Sequence, residues 1–137
     1  MAKTLEQWIA RYNQKVPEGF KRNERFALFF DPEKGFAEVY VNDHLVMVNQ
    51  VCGEFNYWRE VVGKLARHFG IKQVCTAFVR PILPYIRLAG FEPYRIDETP
   101  QGKKYFCKDK RTGQKGVASP GGKDTYYVTW EVTDDEL

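Results

Sequence analysis

The residues best suited to bind a ligand form a short segment in the middle of the chain, Gln50-Val51-Cys52-Gly53-Glu54-Phe55. An apolar run beginning at Leu45 precedes the segment and a helical apolar pattern follows it, so it joins a strand to a helix. Backbone N–H groups at such a junction point beyond the helix N-terminus and attract anions. The spacing therefore predicts a candidate anion cradle around Gly53.

Reactive side chains near this junction are few. Cys52 would have a lowered pKa beneath a helix N-terminus if it were exposed, which makes it a candidate nucleophile, although no motif places a histidine beside it. Glu38 and Glu54 are candidate bases by location, and the alternative for each is an ordinary solvated carboxylate.

Metal and disulfide chemistry are not indicated. Cys52, Cys75 and Cys107 show no C-x-x-C spacing, and His44 and His68 lie far apart. The pattern predicts reduced thiols, a turn histidine, a helix-surface histidine and no metal site.

Length and charge narrow the class of protein. The 137 residues suit one domain, and no apolar run approaches the ~18–20 residues that span a bilayer, which predicts a cytoplasmic protein without membrane association. A net charge of +3 is too small to indicate nucleic-acid binding. The lysine-rich segment from Lys103 to Lys123 favours a solvated hairpin and loop, with an anion-binding rim as the alternative, and no RNA-binding or helix-turn-helix pattern accompanies it.

The first half of the chain predicts one helix and a three-stranded meander. The capping-box spacing of Thr4 and Gln7 opens a helix over about residues 4–15. Strands are predicted over Arg25–Phe30, Phe36–Val41 and about His44–Val51, with the Asp31–Gly35 turn joining the first two.

The second half predicts a crossover unit followed by antiparallel strands. Asn56 is the predicted N-cap of a helix that ends at Gly70, with an apolar stripe at Trp58, Val61, Val62, Leu65, Ala66 and Phe69. An inner parallel strand is predicted over Ile71–Val79. A short helix follows, with Pro81 and Pro84 in its first turn and its end at Gly90. The last predicted strands are Phe91–Ile96, Lys104–Lys108 and Thr125–Val132. The Gly- and Ser-rich stretch Thr112–Gly122 is predicted to be a mobile loop. The predicted fold is α/β (α+β): a mixed sheet with an antiparallel meander, one parallel crossover pair and three helices.

This order of elements resembles the GCN5-related N-acetyltransferase (GNAT) fold over about residues 25–132, in a form shortened at the amino terminus. The sharpest local likeness is Tyr85-Ile86-Arg87-Leu88-Ala89-Gly90-Phe91, which is similar to the short helix and Gly-Phe strand start of that family. The resemblance implies an acetyl-CoA-dependent transferase acting on an amine.

The resemblance also assigns cofactor-binding residues. Gln50 and Gly53 match two anchors of the family's phosphate-binding pattern, and Phe55 stands where the third anchor is small. The backbone of Val48–Gln50 would pair with the pantetheine arm. The full implied set is Val48, Asn49, Gln50, Cys52, Gly53 and Phe55.

Catalytic roles follow from the same likeness. Acetyl transfer needs a neutral amine and an acid for the leaving thiolate. In that family the tyrosine acid lies four residues before the glycine that ends the short helix, and this chain has Ile86 there. The neighbouring Tyr85, about 100° round the helix, is the candidate acid. Glu54 is the candidate base. The alternative is a non-catalytic binding or assembly protein, as among virus-borne relatives, in which Phe55, Tyr57 and Trp58 fill the phosphate site and the Tyr126–Trp130 strand meets a protein partner.

Overall fold

A computed structural model of the chain describes residues 2–78, 82–122 and 125–132. Its helices are α1 (Leu5–Lys15), α2 (Phe55–His68) and α3 (Ile82–Leu88). Its strands are β1 (Ala27–Asp31), β2 (Gly35–Val41), β3 (Val46–Gly53), β4 (Gln73–Phe78), β5 (Phe91–Thr99), β6 (Gly102–Asp109), β7 (Lys115–Gly122) and β8 (Thr125–Glu131). No helix in these residues is long and apolar enough to cross a membrane.

All the strands belong to one eight-stranded sheet in the order β1-β2-β3-β4-β8-β7-β6-β5. Only β3 and β4 are parallel, and every other neighbouring pair is antiparallel. The predicted α+β class, with its meander, single parallel pair and three helices, is confirmed.

The parallel pair is short. It joins Val46 to Val74, Met47 to Cys75 and Val48 to Thr76, and the described ladder between the two strands ends there. Strand β3 carries a β-bulge beyond this point, because Val48 pairs with Val39 while Val51 pairs with Ala37. Bulges bend a strand and increase its local twist. Beyond Val48, β3 and β4 therefore separate into a gap that we call the splay.

The helices cover the two faces of the sheet unequally. Helices α2 and α3 lie over the main core, in which Trp58, Val62 and Ile86 pack against buried residues of the strands. Helix α1 covers a smaller cluster on the other face, where Trp8 contacts Phe36 and Cys52. Its start is the predicted capping box, in which Thr4 accepts a hydrogen bond from the Gln7 N–H and donates its own N–H to the Gln7 side chain.

The bounds of α2 differ from the prediction at both ends. Glu54, and not Asn56, is the N-cap residue. The prediction that Phe69 belongs to the apolar stripe is wrong: its side chain is 58% exposed, because the helix ends at His68 and the chain turns through Gly70 (φ +69°). The predicted Pro81 start of α3 and the predicted end of its preceding strand at Val79 lie outside the described residues.

The prediction of a loop over Thr112–Gly122 is wrong for most of that stretch. Residues Lys115–Gly122 form β7, which pairs with β6 on one side and β8 on the other. Its small residues serve packing: a Cβ on Gly116 would come within 3.3 Å of the Phe91 ring and 3.4 Å of the Trp130 side chain. Strand β8 is consequently an inner strand, so it offers no free edge to a partner.

Candidate functional site

The splay holds a small cavity beneath α2 and α3. Its volume is about 40 Å³, and its lining is almost entirely apolar. Four of the predicted site residues line it: Val48 and Asn49 from β3, Phe55 from the start of α2 and Tyr85 from α3. The remaining lining residues are Val51, Trp58, Arg59, Val62, Thr76, Ile86, Ala89, Val128 and Trp130.

Two aromatic rings meet beside this cavity. Phe55 and Tyr85 contact each other edge to face, with ring centroids 6.1 Å apart and an interplanar angle of 84°. Such pairs contribute about 0.5–1.5 kcal/mol beyond the burial of area. The chain departs from the acetyltransferase pattern at Phe55 and at Ile86, which stands where the family has its tyrosine. Phe55, Tyr85 and Ile86 all line this one cavity.

One polar atom in the cavity wall lacks a hydrogen bond. The Oγ1 atom of Thr76 is buried and has no partner in the described part of the chain, and the whole residue is 7% exposed. Leaving a buried hydroxyl unsatisfied costs about 1–3 kcal/mol. This atom lies at the last residue pair before β3 and β4 separate.

Gly53 has a structural reason to be glycine. It pairs with Gly35 at the open end of the β2–β3 hairpin, and its φ is +112°. A Cβ on Gly53 would lie 1.9 Å from the carbonyl oxygen of Lys34. That oxygen also accepts hydrogen bonds from the Glu54 N–H and from Trp58 Nε1, both at 3.0 Å. Gly53, which the sequence predicts to admit a phosphate, is thus required for the close contact between two backbone segments.

The N-terminus of α2 opens beside the splay without a side-chain cap. Glu54 makes no cap hydrogen bond; its Oε2 lies 3.0 Å from Lys34 Nζ instead. The hydrogen bond and charge of Glu54 raise the pKa of Lys34. The first N–H groups of α2 have no partner within the helix itself, as at every helix start.

The side chains of Asn49 and Gln50 point to a different group, the carboxylate of Glu38. Oε1 of Glu38 accepts from Asn49 Nδ2 at 3.0 Å and from Gln50 Nε2 at 2.7 Å. Oε2 accepts from Arg22 Nη1 at 2.9 Å and from the Asn23 N–H at 2.8 Å. The Gln50 side chain therefore stabilises the fold by binding Glu38. Only the backbone of Gln50 takes no part in this contact.

Glu38 was a candidate base, and its surroundings rule that role out. The residue is 0% exposed, and its carboxylate oxygens accept four hydrogen bonds from the protein. A substrate therefore has no access to this carboxylate. It lies opposite the two bulged residues of β3, so the carboxylate holds the bulge in place. No sequence signal indicated this, because Arg22 and Asn23 come from an irregular segment far from the strand.

Cys52 is not an activated nucleophile. Its thiol packs against α1 on the face of the sheet opposite the splay, and Sγ lies 3.7 Å from the Trp8 carbonyl oxygen. Burial raises the pKa of the Cys52 thiol, whereas the prediction for an exposed thiol was a lowered pKa. Cys75 and Cys107 are also buried free thiols.

A second and larger cavity, of about 790 Å³, lies between the first turns of α2 and the β6–β7 turn. Its polar wall is built on Arg59, which donates to Asp109, to Gln114 and to the carbonyl oxygen of Ala89. Asp109 is 1% exposed and Gln114 6% exposed. The hydrogen bonds to Asp109 and Gln114 join α2 to the residues around the β6–β7 turn, so the three side chains stabilise the fold. No pattern in the sequence indicated this network.

The two predicted catalytic residues line different cavities. Tyr85 lines the splay cavity and Glu54 lines the larger one. Arg59 and Trp130 contribute to both, so they form the wall between the two. Proton transfer by either residue stays a prediction.

Metal ligands and basic residues add no second site. No group of three or more His, Cys, Asp or Glu residues within the described ranges could hold a metal ion. His44 and His68 are exposed, one between β2 and β3 and the other at the end of α2. Of the lysine-rich segment, Lys104 lies over the Phe106 ring, whereas Lys123 falls outside the described residues.

Comparison of the chain with protein-family models, curated proteins and solved structures gives no match. Function is therefore inferred from the sequence and the site.

Proposed function

We propose that this chain is a GNAT-like N-acetyltransferase that binds acetyl-CoA in the splay and transfers the acetyl group to an amine. The observation that carries the proposal is the end of the parallel ladder at Val48 and Thr76, directly beside the N-terminus of α2. A gap between two parallel strands next to a helix N-terminus suits a ligand with an extended arm and an anionic end.

The arm would lie along β3 where β4 no longer pairs with it. Backbone groups from Val48 to Gln50 are available there on the side that faces away from β2. The phosphates would meet the first N–H groups of α2, with Lys34 offering the nearest lysine charge to offset Glu54. Phe55 would have to rotate away from Tyr85 to admit them.

The proposed reaction is a single acyl transfer. The neutral amine attacks the thioester carbon, the new C–N bond forms and the C–S bond breaks. The departing thiolate takes a proton from the Tyr85 hydroxyl, which is later restored from solvent, and the amine nitrogen loses its proton to water. Glu54 is the candidate final base, and because it lines the neighbouring cavity beyond Arg59 and Trp130, it would receive that proton through water. We assign the reaction to the cytoplasm, where buried free thiols such as Cys75 stay reduced.

A second candidate function is a non-catalytic binding protein that retains the fold. The contact between Phe55 and Tyr85 favours it, because these rings occupy the approach to a cavity of only about 40 Å³. Ligand pockets usually enclose about 300–1,000 Å³. Under this function the partner is another protein and the splay is simply part of the core.

Acetyl-CoA itself separates the two functions. Ligand at about 100 times its Kd adds roughly 2.7 kcal/mol to the free energy of unfolding, which raises the melting temperature by several degrees. The transferase proposal expects that rise, together with coenzyme A retained in native mass spectrometry. No rise at millimolar acetyl-CoA would leave the binding protein as the better description.

Tyr85→Phe tests the acid once binding and turnover are established. The variant should bind acetyl-CoA normally and lose about 10²–10⁴-fold in turnover, since it lacks the proton that the thiolate requires. Tyr94→Phe is the matched control, because Tyr94 is 56% exposed on the edge strand β5 and does not line the splay. Unchanged turnover in Tyr85→Phe would remove Tyr85 from the acid role.

A further inference from the structure

We infer that the Thr76 hydroxyl binds the carbonyl oxygen of the acyl group, and that Thr76 and the splay cavity together restrict that group to two or three carbons. This inference rests on the proposed function and names its acyl donor class. It concerns a residue that the sequence did not single out.

The first step is the position of Thr76. It is the last residue of β4 that pairs with β3, and on its other side it pairs with Val128 of β8. Its side chain lines the cavity, and Oγ1 has no hydrogen-bond partner in the described residues. A ligand that accepts a hydrogen bond from this hydroxyl would remove the cost of leaving it unsatisfied.

The second step is the chemistry of the cavity lining. The wall is almost entirely apolar and includes Val62, Ile86 and Val128. Of its polar side chains, Asn49 donates to Glu38 and Arg59 donates to Asp109, and Tyr85 is the proposed acid. A trapped water needs two to four polar partners, which such a lining does not supply. A carbonyl group fits better, because its oxygen accepts the Thr76 proton while the attached methyl group contacts the apolar walls.

The third step is size. A water molecule needs a cavity of about 10–15 Å³. This cavity, of about 40 Å³, is about three times as large. An acetyl group has three non-hydrogen atoms and a propionyl group four. Longer chains would press on Ile86 and Val128, which are 1% and 3% exposed and are packed in the main core. The site therefore selects short acyl groups.

The test compares coenzyme A with its acetyl, propionyl, butyryl and hexanoyl thioesters by isothermal titration calorimetry. For the native protein we expect acetyl-CoA to bind about tenfold more tightly than free coenzyme A, from one hydrogen bond and one buried methyl group. Propionyl-CoA should bind like acetyl-CoA, and butyryl- and hexanoyl-CoA should lose that advantage.

Thr76→Val replaces the hydroxyl with a methyl group of similar shape. We expect it to lower the affinity for acetyl-CoA about tenfold and to leave the affinity for free coenzyme A unchanged. Thr76→Ser should retain the acetyl preference. Thr129→Val makes the same substitution on the neighbouring strand and on the opposite face of the sheet, and it should change neither affinity.

The melting temperature of the free protein gives a readout that does not depend on coenzyme. Thr76→Val should raise it by a few degrees, because the substitution removes an unsatisfied buried group. A lowered melting temperature would mean that the hydroxyl has an internal partner, and would overturn the inference. Thr129→Val again provides the comparison.

The outcomes separate this inference from the proposed function. If coenzyme A binds but all thioesters bind equally, or if Thr76→Val keeps the acetyl preference, the role of Thr76 is wrong and the transferase proposal stands. If neither coenzyme A nor any thioester binds the native protein, the transferase proposal fails and the inference fails with it.

Discussion

The ring of Phe55 meets the ring of Tyr85 edge-on, with 6.1 Å between their centroids. One ring stands at the first residue of α2 and the other on α3, so the pair joins the two helices over the splay. The contact keeps Tyr85 beside the cavity and keeps the start of α2 covered.

Phe55→Ala should open the splay. We expect tighter binding of acetyl-CoA, by up to about tenfold, because the ring no longer has to move before phosphate approaches the N–H groups. The loss of the ring contact should lower the free energy of unfolding by about 1–2 kcal/mol. Calorimetric titration and urea unfolding measure the two effects. Phe69→Ala, at the exposed far end of α2, should cause neither.

Gly53→Ala should disrupt the fold before it affects any ligand. A Cβ placed 1.9 Å from the Lys34 carbonyl oxygen, at a φ of +112°, forces the hairpin apart and should reduce the free energy of unfolding by more than about 3 kcal/mol. Urea unfolding measures it. Gly70→Ala, where φ is +69° and no atom lies within 4 Å of the added carbon, should cost only about 1 kcal/mol. A stable Gly53→Ala protein that had lost coenzyme binding would instead assign Gly53 to the ligand.

Glu38→Ala should be among the most damaging single substitutions. It leaves the Arg22 guanidinium and the amides of Asn49 and Gln50 without their shared acceptor, which should cost about 3–5 kcal/mol of unfolding free energy. Chemical denaturation measures the loss. Glu60→Ala is the control, since Glu60 is 67% exposed and its pair with Lys64 should contribute less than about 0.5 kcal/mol. Equal effects of the two substitutions would contradict a structural role for Glu38.

Asp109 should make stability depend on acidic pH. Burial raises the pKa of this carboxyl, but hydrogen bonds from Arg59 and from the N–H groups of Arg111 and Thr112, with the charge of Arg59, outweigh burial and lower it. The unfolded chain therefore takes up the proton first, so stability is full above a pH of about 4 and is lost as the pH falls through the folded-state pKa.

The measurement is the free energy of unfolding between neutral pH and pH 2. Asp109→Asn should flatten its acidic slope and weaken the protein at neutral pH, since Arg59 loses its charge partner. Asp97→Asn should alter the slope less, because water screens the exposed pair of Asp97 with Arg95. An unchanged slope in Asp109→Asn would contradict the lowered pKa.

The sequence predicted the fold well where local chemistry decides the structure. The capping box of Thr4, the turn at Gly35 and the helix end at Gly70 all lie where their residue types require. The prediction of a loop failed at β7, because glycine is common both in turns and where side chains pack closely against the backbone. At Gly116 the reason is packing, since the ring of Phe91 lies above it.

The candidate site was less predictable. Its small cavity depends on where the β3–β4 ladder stops, and the ladder stops beside a bulge whose two residues both reach the distant Glu38. Thr76 reads from sequence as one more residue of an apolar strand. The missing partner of its hydroxyl appears only when the neighbouring strands and helices are assembled around it.

The short parallel ladder also divides the sheet into two antiparallel parts. On one side, β1, β2 and β3 form a meander with α1, and on the other, β4 to β8 form an antiparallel block; three residue pairs join them within the sheet. Hydrogen exchange should therefore be fastest, among inner strands, at this seam. A small rotation of one part of the sheet against the other would widen or narrow the space above Thr76, so the width of the splay is set by the angle between the two parts.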